Sequence, residues 1–153
     1  MATTQTANLV NFPVNLASIN PVALLKKHNL DRYFVEEDHN DFKVGATTAT
    51  LHAPIAKGNI ITGQALLNLS AEVNGKRTGL LAFLAFIEDQ ASIPAVELRG
   101  KVYLICEAVL VDKHGRRLVY ARWHGFPQRW IVFADRLVNV YDSDVRVVRL
   151  GEG

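Results

Sequence analysis

A chain of 153 residues suits one domain, and a domain of this size buries roughly 70% of the surface its unfolded chain exposes, so it needs no disulfide or metal staple. Hydrophobic residues make up 49% and charged residues 21%, which excludes an intrinsically disordered chain. The net charge of +2 is unevenly spread: residues 1–75 carry five basic and six acidic side chains, net −1, whereas residues 76–153 carry twelve and nine, net +3, and nine of those twelve cations are arginine.

Cys106 is the only cysteine. No internal disulfide can form, which fits a reducing compartment, and the position of Cys106 inside the apolar run 102–111 reads as a buried, inert thiol. The first twenty residues lack a basic segment followed by a continuous apolar one, so no export signal is read. The longest uninterrupted apolar run, 80–87, is too short to span a bilayer as a helix. The expectation is a cytoplasmic protein with no membrane partner.

Residues 1–18 are polar and without a strong period, and read as an arm that is flexible or ordered by a partner; residues 19–153 read as one β-rich domain. Asn20 and Pro21 form a helix start, with Asn20 as N-cap and Pro21 at the first helical position. Lys26, Lys27 and His28 suit the negative end of the helix dipole, and Asn29 can close the helix. Tyr33, Phe34 and Val35 fit either a strand or a helical continuation, and 36–41 reads as an acidic loop. From Phe42 the signals are β, with Thr47, Thr48 and Thr50 as β-formers.

Leu67, Leu69, Ala71 and Val73 alternate with polar residues, a strand with one buried face. Asn74-Gly75 is a favoured pair for a tight hairpin turn, and the apolar run 80–87 reads as its returning strand. Residues 88–100 form a longer connection containing Pro94. A strand over 102–111, a turn at 112–115 and a return over 117–123 follow. Residues 125–127 break the chain, and three short strands are expected at 130–133, 137–141 and 145–150, with turns at 135–136 and 142–144. The predicted fold is mainly β: an antiparallel barrel or sandwich of about seven or eight short strands with one short N-terminal helix.

The stretch 116–130 interleaves arginines with aromatics and holds both tryptophans. On a strand, Tyr120, Arg122 and His124 share one face, and Arg117, Val119, Ala121 and Trp123 the other. Single-stranded nucleic acid is held by this combination, cations following the phosphates and rings stacking the bases. Arg117, Arg122 and Arg129 are the candidate phosphate contacts, and Tyr120, Trp123 and Trp130 the candidate stacking platforms. Lys76 and Arg77 on one hairpin tip, with Lys113 and Arg116 on another, are auxiliary contacts. Against this stands a plainer reading: alternating Trp and Tyr also fill β cores, and cations at turns are often only solvated.

Residues 36–41 offer oxygen ligands, but adjacent residues do not all converge on one ion, and the acidic run reads as solvated. No histidine pairs with another at a ligand spacing, so neither zinc nor another cofactor is expected, and His124 reads as a structural or stacking histidine. Gly75–Gly79 lacks the order of a phosphate loop, and no motif names a catalytic residue. The reading is a non-enzymatic module, of OB-like type, for single-stranded DNA or RNA. The alternatives are an assembly subunit, homo-oligomeric or joined to a protein partner through residues 1–18, and a β-barrel holding a small apolar ligand between the runs 80–87 and 102–111.

Overall fold

The computed structural model describes residues 5–16, 20–39, 45–73, 76–88, 102–125 and 129–151. In chain order its elements are β1 (Gln5–Leu16), α1 (Pro21–Lys27), β2 (Phe34–Asp38), β3 (Gly45–Ala53), β4 (Ile61–Thr62), α2 (Gly63–Ser70), β5 (Lys76–Arg77), α3 (Leu80–Glu88), β6 (Tyr103–Asp112), β7 (Gly115–His124), β8 (Arg129–Arg136), β9 (Val140–Tyr141) and β10 (Val145–Gly151). The main sheet runs β1-β3-β10-β6-β7-β8, with β2 beside β6 and β5 beside β10; β4 and β9 form a separate ribbon. Pairings are antiparallel except β6 with β10.

The mainly β character is as expected, but among the described residues the sheet does not close into a barrel. It is an open layer with a filling on each face. Even-numbered residues of β6 and β8 and odd-numbered ones of β7 (Leu104, Cys106, Val119, Ala121, Trp130, Val132) pack with α1 and α3. The opposite face (Ile105, Val109, Leu118, Tyr120) packs with α2 and Tyr141 of the ribbon. The run 80–87 shares its core with the even-numbered residues of the run 102–111. No described helix is long and apolar enough to cross a membrane.

Local chemistry explains what holds and what changes. Asn20 Oδ1 accepts from the Val22 and Ala23 amides and starts α1. Asn29, at φ +60°, ends it, with the Leu30 amide donating back to the Leu25 carbonyl. The 112–115 turn forms as expected, with Gly115 at φ +120° and the His114 amide donating to Asp112 Oδ1.

In place of the strand expected over 67–73, residues 67–70 belong to helix α2 and 71–73 form a turn. Thr62 Oγ1 accepts from the Ala65 amide as N-cap, and Leu66, Leu67 and Ser70 make one buried face. The strand expected over 80–87 is helix α3. Leu and Ala are strong helix formers, its residues 82–87 are all buried, and its Leu80 amide is capped by Asp38 Oδ1 from β2 at 2.8 Å. The hairpin joining those two segments is thereby replaced, and its turn, 74–75, lies outside the described residues, as does most of the 88–100 connection.

Residues 36–38, expected in a loop, belong to β2. Strand β8 runs through the turn expected at 135–136, and the strand expected over 137–141 shrinks to β9. Residues 5–16 of the expected arm form β1, paired along β3.

Half-way along, β6 changes partner: 103–105 lie beside β10, and 108–111 beside β2. A shift in the β6–β7 register between Ile105 and Val109 marks the switch. Glu107 sits there fully buried, accepting from Arg149, Arg77 Nε, Ser70 Oγ and the Thr78 amide. Arg149, itself buried, also donates to the Ser70 carbonyl. One carboxylate thus ties β6, β10, β5 and α2 together.

Candidate functional site

Beyond the α2 face, β6, β7 and β8 bring aromatic side chains into a pile. Tyr120 stacks on Tyr103 with ring centroids 5.3 Å apart and planes 7° from parallel. Its other face stacks on Phe133 at 5.5 Å, and His124 stacks on Phe133 at 5.4 Å. Tyr141 meets Tyr120 edge-on. The register explains the pile: Tyr120 lies opposite Phe133, and Arg122 opposite Tyr103. The exposed Arg122 guanidinium lies over Tyr103, 5.6 Å from its centroid, and ends the pile with a flat cation.

Beside the pile opens a cleft of about 380 Å³. Tyr103, Tyr120 and Arg122 form one side, and Tyr141, Asp142 and Asp144 the other, with Asp135 between them. The second wall is held close by Gly63: its amide donates to the Asn139 carbonyl, and a Cβ there would come within 2.8 Å of the Leu137 carbonyl oxygen. Tyr120 donates to Asp135 Oδ2 at 3.0 Å. Burial, with the Asp135 charge, pushes the Tyr120 hydroxyl upward and the Tyr141 hydroxyl up to about 12, so both are protonated donors at neutral pH. Tyr141 is only 6% exposed, and its hydroxyl has no hydrogen-bond partner among the described residues. A buried donor without an acceptor is costly. A ligand acceptor in the cleft would satisfy it.

Of the residues singled out in the sequence, Tyr120 and Arg122 lie in this site, and the exposed Arg129 faces His124 across the strand pair. The others are elsewhere. Trp130 is 1% exposed, in the core beneath the opposite face. Trp123 is half-buried against that core, edge-on to Trp130 at 6.1 Å. Arg117 lies over Tyr33 and pairs with Asp112 at 3.4 Å. Arg116 is held by Glu36 at 2.6 Å and Glu37 at 2.7 Å, which gives the acidic run a structural partner. Lys113 is exposed at the hairpin tip. Lys76 and Arg77 form β5, paired with β10, and Arg77 binds Glu107.

Sequence reasoning missed Tyr103, Phe133, Tyr141 and Asp135. Phe133 carried a usable signal, an aromatic in alternation along an expected strand. Tyr141 did not, because a two-residue strand has no period to read. Among the described residues no group of three or more His, Cys, Asp or Glu side chains is placed to hold a metal ion.

No protein-family model, curated protein or solved structure matches the chain.

Proposed function

We propose that this chain binds short single-stranded nucleic acid on the ring pile, with Arg122 as its outermost plane. The carrying observation is the continuous order Phe133, Tyr120, Tyr103, Arg122, in which the three rings stack in turn, the Arg122 guanidinium lies over the last ring, and Arg122 is exposed. Bases stack on aromatic rings and on guanidinium planes alike, so a base extends this order by one step. Arg122 and Arg129 supply cations for the backbone. Asp135, Asp142 and Asp144 repel phosphate, so the backbone runs on the Arg122–Arg129 side and only a base edge enters the cleft. There the carboxylates accept from base N–H groups, and the Tyr141 hydroxyl donates to a base acceptor. Trp123 and Trp130 are no part of this surface.

Arg122→Ala is expected to weaken binding of a fluorescein-labelled single strand about tenfold, since one stacked base is worth roughly 1–3 kcal/mol. Arg122→Lys keeps the charge but not the plane, and recovers only part of that loss. Arg116→Ala, whose guanidinium is held by Glu36 and Glu37, leaves binding unchanged. Fluorescence anisotropy reads all three, and equal affinities for wild type and Arg122→Ala would overturn the proposal.

Tyr141→Phe separates the cleft from the fold. Removing an unpartnered buried hydroxyl is expected to raise stability by about 1 kcal/mol in thermal denaturation while weakening binding. A destabilised variant with unchanged affinity would show that the hydroxyl serves the fold alone.

A further inference from the structure

Among the described residues, the three strands longer than two residues that pair on one side only, β1, β2 and β8, are not alike. β1 contains Pro13 and an irregular register. β2 carries Glu36, Glu37 and Asp38 and a register shift between Val35 and Glu37. Both carry devices that discourage pairing with another chain. β8 carries its charges, Arg129, Asp135 and Arg136, only near its ends. It is eight residues long, contains no proline, lysine or bulge, and keeps an unbroken register with β7 from Arg129 to Arg136. Among the described residues no strand pairs with its outer side.

We infer that β8 is a homodimer edge, pairing antiparallel with β8 of a second copy about a two-fold axis through Val132. The pattern Arg-Trp-Ile-Val-Phe-Ala-Asp-Arg is self-complementary in that register. Arg129 then faces Asp135 of the other copy, Ile131 faces Phe133, and Val132 faces itself. Arg129, Ile131, Phe133 and Asp135 lie on one face of the strand, and Ile131 and Phe133 are partly exposed. Opposite charges and aromatic–β-branched pairs directly across a sheet are both favourable. A perpendicular two-fold keeps each face on its own side, so registers can move only in steps of two. Sliding one step puts Arg129 opposite Phe133 in one direction and Ile131 opposite Asp135 in the other. Only the Val132-centred register matches charge with charge. It also sets the two ring piles on the same face of one continuous sheet, so that a single strand can reach both, as avid binding requires.

The test is a charge-reversal complementation on the full chain, read by size-exclusion chromatography with light scattering. Wild type is expected to be a dimer. R129D places like charges at both ends of the pairing and is expected to be monomeric, as is D135R. Mixed in equal amounts they are expected to form a one-to-one heterodimer, because the new carboxylate faces the new guanidinium while the remaining ends pair as in wild type. A monomeric wild type at every concentration, dimers that survive either reversal, or folded variants that stay monomeric when mixed would each overturn the proposal. If D135R fails to fold after losing the Tyr120 contact, amide hydrogen exchange in wild type decides. Slower exchange over residues 129–136 with rising concentration is expected, and exchange independent of concentration overturns it.

Discussion

Glu107→Ala is expected to cost about 3–5 kcal/mol of folding stability, the range for removing one partner of a buried ion pair. The carboxylate is fully buried, and its removal takes a charged partner from Arg149, which is 2% exposed. Arg149 still reaches the Ser70 carbonyl, but a carbonyl does not neutralise a guanidinium. For a domain with a total stability of about 5–15 kcal/mol, this is a large share. Replacing the two buried members by apolar residues of similar volume, as in Glu107→Leu with Arg149→Met, is expected to recover part of the loss, since the partly exposed Arg77 still loses its carboxylate partner. Urea unfolding midpoints of the three variants measure this. The consequence reaches the site, because the same carboxylate anchors α2, whose Gly63 end holds the second wall of the cleft.

Trp130→Ala is the other large effect, expected at about 3–5 kcal/mol, the range for truncating a buried aromatic. Trp130 lies in the core shared by α1, α3 and the sheet, and is the largest fully buried side chain. Trp123, half-buried beside it, is expected to cost less when truncated. Denaturant unfolding followed by far-UV circular dichroism ranks the two. Trp130→Phe keeps most of the buried ring, and is expected to fold and to bind oligonucleotide as wild type does. Loss of binding in a folded Trp130→Phe variant would return Trp130 to the ligand surface, against its burial.

These two residues also show where the sequence is legible. Alternation correctly divides β7 into a Tyr120–Arg122–His124 face and an Arg117–Trp123 face. It does not say which face meets helices, and only the helices decide which aromatics are buried. That depended on α3, whose eight apolar residues fit a doubly buried strand as well as a buried helix. Length could not arbitrate, and the Leu/Ala composition was the informative part. In α2 the alternation of Leu67, Leu69, Ala71 and Val73 competes with a helical face of Leu66, Leu67 and Ser70. Thr62 as N-cap tips the balance.

The site itself was half legible. The tight turn at 112–115 fixes the hairpin register, and extending it without interruption would pair Tyr103 with His124. The two-residue shift between Ile105 and Val109 moves Tyr103 to Arg122 and so creates the end of the pile. No local signal announces that shift; it accompanies the partner switch at Glu107, a long-range event. The cations were visible as a composition bias, but their occupations were not. Arg77, Arg116 and Arg117 are engaged with Glu107, Glu36, Glu37 and Asp112, which lie far away in sequence or across the hairpin.

The central claim, a stacking surface that also holds a phosphate backbone, is tested most directly by anisotropy titration of wild type with a labelled single strand at about 50 and about 200 mM salt. A slope between roughly −0.7 and −1.4 in log affinity against log salt per copy is predicted, at about 0.7 for each phosphate on a single strand: Arg122 alone where Arg129 faces Asp135 of a second copy, and Arg122 with Arg129 where it does not. Binding that weakens along that slope is the predicted result. No binding at the lower salt, or binding that salt leaves unchanged, would contradict it.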